Sequence, residues 1–310
     1  MDMQPRLSMR SPLAATHPAG WWAWPRGLLR ELSLSWKFIG GDVSSAVVPA
    51  MLFLGAASAH ARLVPVELLR ALGRGALYFW LYTYAFCLSN QLVGMEEDRL
   101  NKPHRPLPSG LVSERGTRWR WRACMALFTL VGWGFGVWRW TLLWQLVIVL
   151  HNEWGGARRW WVKNLLMGVG VLSQLTAAWE LVTPLTPTAW RWIGVLSSVV
   201  CVLVSLQDLR DMGGDRAGGR KTFPIVFGER WTRFLLAGLF GLMPLVIHQV
   251  LMVPLGMTPW VVLSDAGLAL MSWVVAVRVV RWRTPAADHR TYLLFTGWYC
   301  LALLSTIVIL

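Results

Sequence analysis

Apolar residues run along this chain in long blocks, separated by short connections rich in Arg, Lys, Gly and Pro. A helix needs roughly 20 residues to cross about 30 Å of hydrocarbon. Nine blocks approach that length, at approximately 38–59, 75–94, 121–138, 140–153, 162–181, 190–207, 232–253, 260–279 and 291–310. The fourth is short, and Trp, Arg and Gly interrupt several others, which membrane helices tolerate when neighbouring helices satisfy the freed backbone groups. The pattern predicts an all-α fold, a polytopic membrane bundle of about nine transmembrane helices forming one domain over 38–310. Residues 1–37 mix Pro, Arg and Trp without a clean apolar core, so they do not read as a cleaved signal peptide. Trp21, Trp22 and Trp24 with Arg26 and Arg30 predict an interfacial segment lying on the membrane.

Composition supports the bundle over a pair of soluble domains. Only 15% of residues are charged, against about 25% in a soluble domain. The 22 Trp residues suit membrane interfaces. A formal charge of +14 would raise nucleic acid as a partner in a soluble protein, but no basic stretch carries a nucleic-acid-binding motif. The basic residues instead orient the helices. With a cytoplasmic N-terminus, 25 of the 30 Lys and Arg fall on the cytoplasmic side, leaving Arg62, Arg70, Arg74, Arg139 and Arg191 opposite. The C-terminus is then expected on the far side. The four cysteines sit singly in apolar runs, with neither metal-ligand spacing nor a disulfide framework.

Two acidic motifs follow the second and sixth helices and so share the cytoplasmic side, four helices apart, which hints at an internal repeat. The first spans 90–110 and contains Asn90, Glu97, Asp98, Lys102 and Arg105. If the second helix continues to about residue 98, Asn90, Gly94 and Glu97 share one face with Asp98 at its margin, and Glu96 points away. Two carboxylates and an amide beside a basic stretch suit Mg²⁺, which shares oxygen ligands with phosphate. A solvated loop with ordinary charge pairing is the alternative.

The second motif is more specific. Asp208, Asp211 and Asp215 stand at offsets of 0, 3 and 7, on one helical face at the exit of an apolar helix. Three anions on one face repel unless a cation neutralises them. A Gly-rich stretch then turns the chain, and Arg216, Arg220 and Lys221 bring positive charge back. Acids for a metal followed by bases for phosphate suit diphosphate binding. A third stretch, His151 to Asn164, shares this side. Its Arg158 and Arg159 read as membrane anchors, while Lys163 and Asn164 begin an apolar helix and either anchor it or face the bundle interior.

Together these stretches resemble the UbiA superfamily of intramembrane prenyltransferases, from about residue 38 onward. Asp208, Asp211, Asp215, Arg220, Lys221, Thr222 and Pro224 fit its second motif. Asn90, Asp98, Asn101, Pro103, Arg105, Pro106, Ser109 and Gly110 fit the first. The family usually has Asp where this chain has Gln91 and Gly94, and Tyr where it has His151; Glu97 is placed to compensate. The form of the first motif, with the His151–Ala157 stretch, is similar to a subgroup best known from fungal members that includes membrane terpene cyclases.

The resemblance implies that Mg²⁺, held by Asn90, Glu97, Asp98, Asp208, Asp211 and Asp215, grips the diphosphate of a prenyl substrate. Farnesyl diphosphate is the first expectation, with geranyl and geranylgeranyl as alternatives. Lys102, Arg105, Lys163, Arg220 and Lys221 are expected to bind the diphosphate and stabilise charge on the leaving group. Trp80, Trp179 and Trp298 are candidate linings for the carbocation. Cyclisation is expected first, transfer to an aromatic or other lipid-soluble acceptor second, and a non-catalytic transporter or scaffold third.

Overall fold

A computed structural model describes residues 23–310. Trp21 and Trp22 lie outside the described residues, as do the side chains of Trp24 and Arg26. Helix α1 spans Ala23–Ile39, α2 Val47–His60, α3 Pro65–Val93, α4 Met95–Asn101, α5 Glu114–Gly134 and α6 Trp138–Ile148. Helix α7 spans Trp160–Glu180, α8 Pro187–Leu203, α9 Ser205–Ala217, α10 Phe223–Phe227, α11 Glu229–Ile247, α12 Pro259–Arg281 and α13 Pro285–Ile309. Several starts are written locally. Thr186, Thr258 and Thr284 each accept a backbone N–H of the following helix, and a proline then occupies its first turn.

The long helices close a ring. Neighbours pack in the order α2, α3, α5, α6, α7, α8, α11, α12, α13, and α13 packs back on α2. The short acid-bearing helices α4 and α9 follow α3 and α8 and touch each other at one end of the bundle. Leu310 lies at the other end, where its carbonyl meets His60 Nδ1 at 3.3 Å. Among the described residues, four helical runs are long and apolar enough to cross a membrane by length and composition alone: Pro187–Ala217, Glu229–Leu255, Pro259–Arg281 and Pro285–Ile309. Large apolar side chains such as Leu130, Trp133, Leu245 and Leu263 stay exposed on the outside of the ring, the inverse of a soluble bundle.

The first expected span differs from the structure. The chain leaves the helix at Gly40, turns through residues 40–46, and resumes as a 14-residue α2. That is about 21 Å of helix, less than the hydrocarbon thickness. The unwound stretch carries Asp42 inward. Helix α1 packs on α3, with Trp36 stacked on Trp80 at 5.9 Å and Trp80 Nε1 donating to Ser35 Oγ at 3.2 Å. It leaves Leu28, Leu29 and Leu32 exposed.

The four cysteines are free; Cys87 and Cys124 are buried and the other two half-buried. At the motif-bearing end, Arg233 of α11 forms a two-pronged pair with Asp288 of α13, both bonds 2.7 Å, and donates to Val279 O of α12 at 2.9 Å. Three helix ends are thereby fixed through one buried guanidinium.

Candidate active site

A cavity opens at the end of the bundle where α4 and α9 meet, and runs down between α3, α7, α8 and α9. Its interior volume is about 210 Å³. The upper part is charged and the lower part apolar.

Helix α9 presents Asp208, Asp211 and Asp215 to this cavity on one face. The Gly-rich stretch departs from expectation here. Gly213 and Gly214 stay helical, and the chain turns only at Gly218 and Gly219, the latter at φ +67°. Gly214 is required because a Cβ would overlap the Asn101 side chain of α4. Asn101 Nδ2 donates to Asp211 O at 3.3 Å, fixing one motif against the other.

The first motif is broken where continuity was expected. Helix α3 ends at Val93 and Gly94 carries a bend before α4. The bend reorients Glu97 and Asp98, yet both still line the cavity with Asn90. Glu96 turns out to solvent and pairs with Arg99. The two departures from the family pattern also have a place. Gln91 turns away and accepts the Leu107 N–H at 3.3 Å, holding the 102–110 loop. A Cβ at Gly94 would come within 3.4 Å of Arg220 Nη2, so a guanidinium stands beside this position.

Of the expected cations, Lys102, Arg105, Lys163 and Arg220 converge. Lys163 Nζ donates to Asp208 Oδ1. Arg105 Nη1 bridges both oxygens of Asp98 at 2.8 and 3.0 Å, reaches Asn90 Oδ1 at 3.3 Å, and its Nη2 lies 3.6 Å from Asp42. Arg220 Nε pairs with Glu97 at 2.6 Å and Nη1 lies 3.9 Å from Asp215. Lys102 Nζ lies 3.9 Å from Asp211. Burial pushes the Glu97 carboxyl above its usual range, against the pull of Arg220.

Arg216 and Lys221 do not join them; Arg216 is exposed and off the cavity wall, and Lys221 has another role. The Lys221 side chain is exposed, and its main chain instead bridges Arg158 and Trp160, with N–H to Arg158 O at 2.7 Å. It braces the loop rather than lining the site. Arg158 and Arg159 are exposed, as membrane anchors would be, while Lys163 and Asn164 are buried inside the bundle.

The lower chamber is aromatic, but not through the expected tryptophans. Trp179 and Trp298 are fully packed and donate to Pro184 O and Leu268 O, and Trp80 lies under α1. The wall is Tyr82 stacked on Trp144 at 4.3 Å, followed by Phe86 and His151. Asp42, Asn152 and this wall were not singled out as site residues in the sequence. Asp42 has a usable signal, since an isolated acid beside an apolar run marks function.

Among the described residues, no three His, Cys, Asp or Glu side chains close around a point fit for a metal by themselves. The carboxylates are interleaved with cations instead. Yet Asp208 Oδ2 and Asp215 Oδ2 are buried without a partner in the same cavity, and buried acceptors of this kind call for one. A few carboxylate oxygens shared with phosphate and water suit Mg²⁺, which seldom takes an all-protein cage. The residues fit that ion.

Comparisons with known proteins agree with this geometry. A profile of the UbiA prenyltransferase family matches residues 46–300. The somaliensene A/B synthase of Streptomyces somaliensis is 50% identical over 282 residues, 91% of this chain and 94% of that one. The diterpene cyclase eriG of Hericium erinaceus is 33% identical over 284 residues, 89% of this chain and 88% of that one. A UbiA homolog from Archaeoglobus fulgidus, solved bound to DMAPP and Mg²⁺, has the same fold at a TM-score of 0.65 and 13% identity, over 89% of this chain and 99% of that one. With its ring of helices, its paired acidic motifs and a match across most of its length, this chain belongs to the UbiA prenyltransferase family, as an integral membrane enzyme.

Proposed function

We propose that the protein ionises a prenyl diphosphate in a Mg²⁺-dependent reaction, cyclises the resulting cation and releases diphosphate. The observation that carries this is one cavity with two orphaned carboxylate oxygens and four cationic side chains at its mouth, directly above an aromatic chamber. Cyclisation is placed ahead of transfer because of the synthase and cyclase names of the relatives. Transfer to an acceptor is the second reading, favoured by the family's name.

Asn90, Glu97, Asp98, Asp208, Asp211 and Asp215 would hold Mg²⁺, which supplies Lewis-acid neutralisation of the diphosphate. Lys102, Arg105, Lys163 and Arg220 donate to the phosphate oxygens as the allylic C–O bond breaks and its electron pair leaves with the diphosphate. The stacked Tyr82, Trp144 and Phe86 faces stabilise the cation left behind and keep it from water. The site and N-terminus are assigned to the cytoplasmic side and the C-terminus to the opposite side, from the charge asymmetry. Residues 38–310 are assigned as the catalytic unit, from the sequence pattern.

Purified protein incubated with Mg²⁺ and geranyl, farnesyl or geranylgeranyl diphosphate, without acceptor, tests the reading. A cyclic hydrocarbon detected by gas chromatography is expected with at least one of the three. Diphosphate release that requires an added aromatic acceptor would replace cyclisation with transfer.

A further inference from the structure

His151 Nε2 is buried and has no hydrogen-bond partner, and the residue, 3% exposed, lines the cavity where the charged mouth meets the aromatic wall. Its ring packs against Phe86 at 5.3 Å.

The state of this imidazole follows from a chain of hydrogen bonds that begins at a group with only donors. Arg105 Nη1 points at Asn90 at 3.3 Å, so the atom it meets must be the carboxamide oxygen. Asn90 therefore turns its Nδ2 to Asn152, at 3.5 Å, and the atom it meets there must also be oxygen. Reversing Asn152 would set two amide NH₂ groups against each other. Asn152 Oδ1 lies 2.8 Å from His151 Nδ1. An oxygen that can only accept requires Nδ1 to carry the proton. In the neutral ring Nε2 then carries the lone pair, and no protein group bonds to it.

We infer that His151 Nε2 is the base that ends the reaction, taking the proton from the carbocation formed in the chamber. The inference rests on the cyclase reading. A C–H bond next to the cationic carbon breaks, its electron pair becomes the new C=C bond, and the proton bonds to Nε2. The diphosphate keeps the electron pair of the broken C–O bond. The imidazolium then returns its proton to the departing diphosphate or to water when the mouth opens. A tyrosine hydroxyl at this position would be a far weaker proton acceptor, which separates a terminating base from a residue that only stabilises the cation.

Two measurements test this. In His151→Phe and His151→Gln, neither of which carries a base of imidazole strength, the ratio of the native olefin to diphosphate released should fall more than tenfold, with water-quenched alcohols or isomeric olefins in its place. An unchanged ratio, whether both yields fall together or neither falls, overturns the inference. The absence of any hydrocarbon from the unsubstituted protein would instead sink the cyclase reading. Independently of turnover, ¹⁵N NMR of histidine-labelled protein, with the His151 signal identified by its loss in the variant, should show the Nδ1–H tautomer. An Nε2–H tautomer or an imidazolium in the ligand-free protein overturns the hydrogen-bond chain on which the inference stands.

Discussion

Replacing Lys163 with Met should change metal binding and catalysis in opposite directions. The Lys163 ammonium and the Asp208 carboxylate are both buried, with side chains 11% and 1% exposed, and Nζ holds Oδ1 while Oδ2 stays without a partner. The lysine thus occupies half of a carboxylate that a divalent ion would use. Before substrate arrives, the ion must displace a charge-assisted hydrogen bond of about 1.5–3 kcal/mol. At 1.4 kcal/mol per decade, that competition weakens metal binding by roughly ten- to a hundredfold. Removing it should tighten binding of Mn²⁺, a spectroscopic stand-in, by at least about tenfold in the absence of substrate, read by EPR titration of free Mn²⁺. The same substitution removes a donor to the leaving group, so diphosphate release should fall by about 10²–10³.

Opposite signs separate this from simple damage, which would weaken both. Lys163→Met also leaves the Asp208 charge buried and unpaired, a cost of about 3–5 kcal/mol in the ion-free protein. Metal at a hundred times its Kd returns about 2.7 kcal/mol of that. The variant should therefore melt well below the parent in EDTA, and the gap should narrow as Mg²⁺ is added. A folded Lys163→Met protein with unchanged or weaker Mn²⁺ affinity, or with diphosphate release close to that of the parent, refutes the reasoning.

Three further outcomes follow from the same geometry. Asp211→Asn removes a carboxylate charge facing Lys102 and should reduce diphosphate release by about a hundredfold or more while leaving the melting temperature nearly unchanged. Arg233→Met strands the buried Asp288 carboxylate and should cost about 3–5 kcal/mol in detergent unfolding; adding Asp288→Leu should recover most of it, and additive losses would contradict the pair. Gly170→Ala drives a methyl into the Trp144 ring, an overpacking of about 1–3 kcal/mol. That shift should alter the product ratio or the preferred prenyl length more than it alters diphosphate release.

What the sequence disclosed and what it hid divide along one physical line. Features with a period were legible. The apolar blocks anticipated the helices of the ring, apart from the unwound start of the first, and offsets of 0, 3 and 7 placed Asp208, Asp211 and Asp215 on one face of α9 without knowledge of any neighbour. Features set by what a residue meets across the bundle were not. A periodic reading carried the second helix through Gly94, and the structure bends it there, beside the Arg220 side chain. Lys221 stands beside Arg220 in sequence, yet the bridge to Arg159 sends it to solvent. The tryptophan pattern points to Trp80, Trp179 and Trp298 as linings, but the wall is built on Trp144, whose indole stacks on Tyr82 and donates to its carbonyl. His151 shows the same limit most clearly. Its identity was visible at once as a departure from tyrosine. Its protonation state comes from Arg105, 46 positions earlier in the chain, through two asparagines on different helical segments. A sequence supplies the groups that can donate or accept; which of them is left with a bare lone pair facing the cavity is a property of the closed network alone.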